Sequence, residues 1–381
     1  MSNSSDTSRP SLLRALGPLT ATAMVVGTVI GSGVFKKPQV VAQHVPYSGL
    51  AALVWILGGT LALFGGLALA EIAVLYPRAG GNYVFLREGY GRLAGFLWGW
   101  VEFWIIRSAS IAALAIILAE SLADILRNPA FQESTGLNLG SEPLAFWGRC
   151  WLTIAVILGL GAINTLGVKL GGLLQLFITI IKIVSLLLIA ALPFFAASLR
   201  PDQPVPRPES ANLLPVLPSW GLFSLSSVGA ALVGVIWAYH GWMNVAPIAE
   251  EIRNPQRNIP IALLGGILII ITLYLSANVG YYLIIPQNEM ANIRNTTVVS
   301  EFCSRLLGPI GAAAASAAVM CSVFGALNGN LMVGPRLLYA MGADGLAPRV
   351  LAEVHPRFRT PVVAIMVLAT WSATLVLAGA I

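Results

Sequence analysis

Residues 27–35 read GTVIGSGVF and interrupt an otherwise apolar stretch of the chain. Glycine adopts backbone conformations that other residues avoid, so Gly27 and the Gly-Ser-Gly sequence at 31–33 predict a broken helix. A second interruption, WAYHGW at 237–242, falls in the sixth apolar run, with Pro247 beyond it. Paired interruptions in the two halves of a chain are typical of a membrane transporter's binding site. The alternative is that the small residues only allow helices to pack closely.

The composition around these breaks is that of a membrane protein. Of 381 residues, 57% are hydrophobic and 10% are charged, and the mean hydropathy is +0.81. A soluble domain is about a quarter charged, so this composition excludes an ordinary soluble enzyme. A membrane-spanning helix needs roughly 20 mostly apolar residues. Nine runs fit this length, near 17–35, 49–75, 92–120, 147–166, 171–197, 221–248, 260–285, 308–341 and 361–381.

The basic residues predict the orientation and the partners. Lys and Arg are more numerous in the loops on the N-terminal side, which predicts a multi-pass protein of the inner or plasma membrane with a cytoplasmic N-terminus. The net charge of +6 is then explained by loops that face an anionic leaflet, and we expect the lipid bilayer and no nucleic acid as partner. The chain has no phosphate-binding loop, catalytic triad or metal-ligand spacing. We therefore predict no enzyme, no cofactor and no metal site.

Four long motifs carry a family resemblance. They are GTVIGSGVF at 27–35, AEIAVLYPRAGGNYVFLREGYG at 70–91, WAYHGWMNVAPIAEEIRNPQRNIP at 237–260, and FGALNGNLMVGPRLLYAMGADGLAP at 324–348 followed by HPRFRTP at 355–361. The chain resembles the amino acid–polyamine–organocation superfamily of transporters, in particular its L-type amino acid transporter branch and bacterial relatives. The resemblance implies an all-α membrane fold of two inverted five-helix repeats, as in LeuT-like transporters.

The resemblance also implies a domain organisation. We expect a cytosolic tail at 1–16, a first five-helix repeat at 17–197, an extracytosolic loop at 198–219 and a second repeat at 220–381. The repeat fold needs ten spans and the family usually has twelve, so we expect the second repeat to be incomplete, as in a fragment or a truncated reading frame. The sequence does not indicate whether a single-span accessory subunit exists.

The two breaks predict how an amino acid is held. A helix that starts at a break presents unpaired N–H groups and a partial positive charge, which suit an α-carboxylate. We assign the carboxylate to Gly31, Ser32 and Gly33. The α-ammonium is expected to meet carbonyl groups at both breaks. These belong to Thr28, Val29 and Ile30 in the first segment, and to Trp237 and Ala238 in the sixth.

Two side chains of the sixth segment have open roles. Trp237 matches the position where the family carries an aromatic gate over the substrate, whereas simple packing in an apolar helix is the alternative. His240 stands where the family often has a small or acidic residue. Its imidazole would narrow the pocket or offer a hydrogen bond to a polar substrate side chain, and the alternative is a satisfied buried histidine without a role in transport.

Lys182 lies near the middle of the fifth span, roughly 13 Å and 15 Å from the ends of its apolar run at 1.5 Å per residue. A charge at the bilayer centre costs about 2.5–3.5 kcal/mol, so the side chain must face protein acceptors. The resemblance places it where sodium-coupled relatives bind sodium, against carbonyls of the broken first span, and matches Ser322 to a serine that bonds it. This implies a coupling role, sodium independence and a lysine able to release a proton. A purely structural cation is the alternative.

The remaining charged residues give weaker predictions about function. Glu102 and Arg107 lie within the third span, but five residues along an α-helix put them on different faces, so we do not expect them to pair. The charged residues after the sixth span are expected to be solvated, with an inner gate as the alternative; they are Glu250, Glu251, Arg253 and Arg257, and the same holds for Arg78 and Arg336.

The leading hypothesis is secondary active transport of neutral or broad-range L-amino acids by alternating access. It would run as sodium-independent exchange or as proton-coupled uptake. An amino acid sensor on the same fold is the alternative, since a sensor keeps the binding site without completing the cycle. A channel is a third class, although the spans lack a repeated carbonyl filter.

Overall fold

A computed structural model describes residues 11–140, 142–217, 224–294 and 296–379, and every regular element within these ranges is a helix. Parts of the predicted tail, of the 198–219 loop and of the C-terminal end lie outside the described residues. The α-helices are α1 (Pro18–Val29), α2 (Gly33–His44), α3 (Ser48–Leu75), α4 (Asn82–Tyr90), α5 (Arg92–Val101), α6 (Ser108–Arg127), α7 (Pro129–Thr135), α8 (Phe146–Thr165), α9 (Val168–Leu199), α10 (Leu225–Tyr239), α11 (Pro255–Ile284), α12 (Gln287–Ala291), α13 (Val298–Leu307), α14 (Pro309–Ala343) and α15 (Val362–Ala378).

The predicted apolar runs coincide with helices. Among the described residues, six continuous helices are long and apolar enough to cross a membrane: α3, the α5–α6 rod, α8, α9, α11 and α14. The α1–α2 pair adds a seventh as a bent span, with an angle of 42° at the break. The two remaining runs form shorter helices, α10 with 15 residues and α15 with 17 residues.

Both predicted breaks are present. Between α1 and α2 the chain leaves helical geometry at Ile30, which has φ −71° and ψ 86°. After α10 it turns at Gly241, whose φ of +122° is a conformation that favours glycine. A 3₁₀ segment, Trp242–Glu251, continues the sixth span beyond that turn. In each span an unwound stretch therefore separates two helical parts.

The buried apolar residues form two main cores. The first joins mainly α1, α2, α3, α10 and α11. The second joins mainly α4, α6, α8, α14 and α15. Each core draws on helices from both halves of the chain, as expected if interleaved repeats build two packing units. The repeat boundaries at 197 and 220 stay a prediction, because the packing does not follow them.

Candidate functional site

A cavity of about 430 Å³ lies between the two cores at the level of the breaks. One wall consists of the break after α1, the start of α2 and the end of α10, and the opposite wall consists of α6 and α14. Of the predicted site residues, the cavity is lined by Thr28, Val29, Gly31, Ser32, Gly33, Trp237, Ala238 and His240. The structure therefore brings these residues together around one space.

The start of α2 presents unpaired main-chain donors. The N–H groups of Ser32, Gly33 and Val34 donate to no acceptor in the described parts of the chain. Ser32 and Gly33 line the cavity. The side chain of Ser32 makes no capping hydrogen bond, so the donors there belong to the backbone. Such a helix start has the chemistry to bind a carboxylate.

Lys182, which is not among the residues that line the cavity, binds the end of the first half-helix. Its side chain is buried, and Nζ donates to the carbonyl oxygens of Gly27 at 2.6 Å and Ile30 at 2.7 Å. The resemblance implied a bond between Ser322 and the lysine, but the Ser322 hydroxyl instead lies 2.9 Å from each of the carbonyl oxygens of Ile30 and Gly31, to one of which it donates at a time. The two side chains thus share the Ile30 oxygen as acceptor, because both approach the unwound turn from outside it.

Tyr274 of α11 connects the two breaks. Its buried hydroxyl lies 3.2 Å from the carbonyl oxygen of Val29 and 3.1 Å from that of Ala238, one in each break. The hydroxyl of Thr28 also lies 3.0 Å from the carbonyl of Gly241, although its shortest contact, 2.6 Å, is to the carbonyl of Met24 in its own helix. Apolar packing alone would not satisfy carbonyls in an unwound segment, so these donors stabilise the breaks.

These contacts modify the predicted ammonium site. The Ile30 carbonyl already accepts from Lys182 and lies within reach of the Ser322 hydroxyl, and the Val29 carbonyl accepts from the Gly31 N–H at 2.8 Å. The one proton of the Tyr274 hydroxyl is shared between the carbonyls of Val29 and Ala238. Among the predicted acceptors of the first break, only the Thr28 carbonyl has no donor in the described part of the chain. A carbonyl has two lone pairs, so an ammonium can still share the other oxygens.

If the cavity takes an amino acid, as the sequence predicts, we expect Tyr274→Phe to raise the KM for its transport about three- to tenfold, since a net hydrogen bond contributes about 0.5–1.5 kcal/mol. The control is Tyr281→Phe on the same helix, because the Tyr281 hydroxyl is buried without a partner among the described residues. KM and thermal stability of both variants provide the measurement. Equal KM values in the two variants would contradict the positioning role of Tyr274.

Trp237 and His240 both face the cavity. Trp237 is 54% exposed and its ring lies 4.7 Å from Nζ of Lys37, so simple packing in an apolar interior does not describe it. His240 is exposed as well, and its ring has no hydrogen-bond partner among the described residues. This exposure to the cavity does not fit a satisfied buried histidine, and the role of His240 in transport stays a prediction.

The glycines of the first break have different roles. A Cβ on Gly33 would lie 2.8 Å from Cα of Ala238, and one on Gly27 would lie 2.2 Å from the Gln175 side chain. These two glycines allow close packing, which was the alternative explanation. Gly31 has free space, since a Cβ there would have no neighbouring atom nearer than 4.0 Å. The expectation that glycine lets a ligand approach the backbone thus fits Gly31 alone.

The expectation that Glu102 and Arg107 do not pair is wrong. Residues Glu102–Arg107 form a π-helical turn, in which positions five apart come together. Arg107 contacts the Glu102 carboxylate at 2.5 Å and 3.0 Å, and its Nη1 donates to Asn244 at 2.9 Å and Asn330 at 2.6 Å. This network lines the cavity and joins the two cores. The sequence feature that could have revealed this network is the presence of two ionisable residues inside an apolar span.

The end of the bundle near Leu16, which we call the inner end, is closed by polar contacts. Arg336 pairs with Glu251 at 2.7 Å and 3.1 Å, and both side chains are fully buried. The Glu251 carbonyl accepts from the N–H of Leu16 at 3.0 Å. For Glu251 and Arg336 the predicted solvated state is therefore wrong, whereas Arg253 is exposed as expected.

A second inner contact lies outside the spans. Asp344 accepts hydrogen bonds from Arg87 and from the hydroxyl of Tyr83, the latter at 2.8 Å. Burial and the bond to Asp344 raise the pKa of Tyr83 well above its usual value. The hydroxyl consequently stays protonated at physiological pH and remains a donor.

Comparison with known proteins agrees with this geometry. The family model for amino acid permeases matches residues 16–381. The serine/threonine exchanger SteT of Bacillus subtilis is 33% identical over 93% of this chain and 74% of its own length. The human b(0,+)-type amino acid transporter 1 is 30% identical over 93% of this chain and 68% of its own length.

Solved structures share the fold. The crystal structure of MhsT in complex with L-phenylalanine matches 97% of this chain and 80% of that chain, with a TM-score of 0.64 and 16% identity. A Na⁺-coupled sialic acid symporter matches 96% of this chain and 75% of that chain, with a TM-score of 0.61 and 12% identity. The predicted LeuT-like fold is confirmed. The apolar helices and the family match identify the chain as a multi-pass membrane protein, and as a transporter rather than an enzyme. The chain belongs to the amino acid permease family.

Proposed function

We propose that this chain exchanges neutral L-amino acids across the cell membrane by alternating access, without sodium. The observation that carries the proposal is the set of unpaired N–H groups at the start of α2, which faces a cavity beside carbonyls of both breaks. Such a site recognises the carboxylate and ammonium groups common to all amino acids. The side chain of the substrate would extend toward His240, Met243 and Arg107.

Sodium independence rests on Lys182. Its ammonium is already bound to two carbonyls of the first break, so a fixed positive charge satisfies oxygens that a metal cation would otherwise neutralise. Release of a proton from this lysine is the route by which proton coupling would arise. Exchange is favoured here because SteT, a relative at 33% identity, is named as a serine/threonine exchanger.

Two separate packing cores with a cavity between them are an arrangement that suits alternating access. The cavity lies between them, the Arg336–Glu251 pair closes the inner end, and a further cavity continues toward the opposite, outer end. This arrangement is that of an outward-facing state, and rocking of one core against the other would open the inner end. We place the N-terminus in the cytoplasm because the loops on that side are richer in Lys and Arg. The relatives named above are transporters and exchangers, which favours transport over the sensor hypothesis.

The proposal is tested in proteoliposomes made with the full chain. Vesicles preloaded with unlabelled L-serine are given labelled L-serine, L-threonine, L-phenylalanine or L-arginine, with sodium or choline outside and with or without a pH gradient. We expect labelled neutral amino acids to enter only in exchange for amino acid inside the vesicles, and at the same rate in sodium and in choline. Uptake that requires sodium would overturn the proposed mechanism, and binding without uptake would favour a sensor.

The carboxylate assignment is tested separately at Ser32. Ser32→Pro removes one N–H donor, and we expect binding of L-threonine to weaken about tenfold or more, because hydrogen bonds to charged groups contribute about 1.5–3 kcal/mol. Ser32→Ala is the matched control, since it keeps the N–H and removes a hydroxyl that caps nothing. If both variants bind L-threonine like the wild type, the main chain at Ser32 does not hold the carboxylate.

A further inference from the structure

Helix α15 makes a specific contact with the π-helical turn Glu102–Arg107, which we call the π-turn. The indole N–H of Trp371 in α15 donates to the carbonyl oxygen of Trp104 at 3.1 Å. The two indole rings also meet edge to face, with their centroids 4.7 Å apart and an interplanar angle of 79°. A π-turn is a rare departure from α-helical hydrogen bonding and occurs frequently at functional sites. Trp371 therefore binds an unusual element of the chain from a separate helix.

A second side chain bonds the neighbouring carbonyl of the π-turn. The hydroxyl of Ser108, which is fully buried, donates to the carbonyl oxygen of Phe103 at 2.5 Å. Donor and acceptor are five residues apart, which is the spacing of π-helical rather than α-helical bonds. Two successive carbonyls of the π-turn, those of Phe103 and Trp104, thus each accept from a side chain.

The π-turn determines where the guanidinium of Arg107 lies. In an α-helix with 3.6 residues per turn, positions five apart are separated by about 140° around the axis. In the π-turn, Nε and Nη2 of Arg107 instead contact the carboxylate of Glu102. An α-helical turn at this place would take Arg107 away from that partner.

Helix α14 leaves room for the side chain of Arg107 at Gly334. A Cβ on Gly334 would lie 2.9 Å from Cγ and 3.2 Å from Cδ of Arg107, so the arginine crosses α14 at this glycine. From there Nη1 reaches Asn330 of α14 and Asn244 of the 3₁₀ segment after α10. The position of Arg107 therefore links the third span to the part of the sixth span beyond its break.

The bonds of Arg107 lie between the cavity of about 430 Å³, which we call the main cavity, and the inner end. A small cavity of about 20 Å³ adjoins the same bonds and is lined by Arg107, by Asn244 and, further toward the inner end, by Gly80 and Pro247. Four hydrogen bonds use four of the five N–H donors of Arg107. The arginine and its partners thus form the floor of the main cavity.

We propose that Trp371 is a positioning residue for amino acid transport, which acts through the π-turn to hold Arg107 in the floor of the main cavity. Trp371 is not among the residues that line this cavity, so any effect on the substrate must pass through the π-turn. The inference rests on the proposed function, because the substrate side chain extends toward Arg107 in the same cavity. A π-turn that loses its bond to α15 would leave Arg107 less well placed and the substrate less tightly bound.

The test compares L-threonine exchange by the full chain and by Trp371→Phe in proteoliposomes. The variant keeps an aromatic ring and removes the N–H donor. We expect the KM to rise about three- to tenfold, as for the loss of one hydrogen bond, and amide hydrogen exchange of residues 102–108 to become faster. Ser108→Ala should act in the same direction. The matched control is Trp151→Phe, which changes a tryptophan that is 59% exposed on α8 and should alter neither quantity.

A double-variant cycle distinguishes positioning from general support of the fold. Arg107→Lys keeps the charge and removes the planar fork that reaches Glu102 and both asparagines. If Trp371 acts through Arg107, adding Trp371→Phe to Arg107→Lys should change the KM little further. The same fold-change in KM with and without Arg107→Lys would overturn the positioning role, and so would an unchanged KM in Trp371→Phe.

The inference and the proposed function fail in different ways. Absence of exchange by the wild type overturns the proposed function, whereas amide hydrogen exchange still decides whether Trp371 holds the π-turn. Normal wild-type exchange together with unchanged amide exchange at 102–108 in Trp371→Phe overturns the inference alone. Size-exclusion profiles identify any variant that does not fold, and Ser108→Ala then decides.

Discussion

Replacing Lys182 by alanine is expected to abolish amino acid exchange while the protein still inserts into the membrane. The ammonium is the donor for the carbonyls of Gly27, in the last turn of α1, and of Ile30, where the helix ends. Without it, two buried oxygens lose a charged partner, a loss of about 1.5–3 kcal/mol for each bond. The first half-helix then no longer holds the geometry that presents the break to the cavity. We expect exchange to fall at least about a hundredfold, because 1.4 kcal/mol corresponds to a factor of ten.

The matched control is Lys169→Ala. Lys169 lies in the first turn of the same helix, is exposed, and should tolerate the change with little loss. Uptake by both variants is measured in proteoliposomes and normalised to the amount of inserted protein, with sodium or choline outside. Normal exchange in Lys182→Ala, independent of sodium and with an unchanged pH dependence, would show that the lysine has no coupling role.

The sequence predicted the breaks and the buried lysine because both signals are local. A Gly-Ser-Gly cluster in an apolar run has few explanations besides a break or close packing. A lysine in the middle of a span must find acceptors, whatever the rest of the fold. In the structure, Lys182 does contact the first span, and the breaks of the first and sixth spans line one cavity.

Other parts of the site could not be predicted because they depend on tertiary geometry. Tyr274 has no sequence signal, since a tyrosine in an apolar helix looks the same whether its hydroxyl bonds a carbonyl or nothing, as the neighbouring Tyr281 shows. The Glu102–Arg107 pair required a π-turn, and spacing rules for an α-helix predict the opposite. Gly33 could not be assigned to packing until Ala238 was known to oppose it.

Arg336→Met is expected to destabilise the protein strongly, by about 3–5 kcal/mol, because removing one partner of a buried ion pair leaves the other charge uncompensated. Both Arg336 and Glu251 are almost completely buried, and the pair fastens α14 to the 3₁₀ segment after α10. Thermal unfolding in detergent or nanodiscs measures the loss. Arg253→Met is the control, since Arg253 is exposed and bonds Leu16 through its backbone N–H, which the change leaves in place.

The double variant Glu251→Gln with Arg336→Met separates stability from gating. It removes both charges, so most of the lost stability should return. Exchange should remain slow nevertheless, because the inner end would lack the contact that closes it while the outer end is open. A double variant that is stable and exchanges at the wild-type rate would show that the pair only supports the fold. Full stability of the single variant Arg336→Met would contradict the buried charge pair itself.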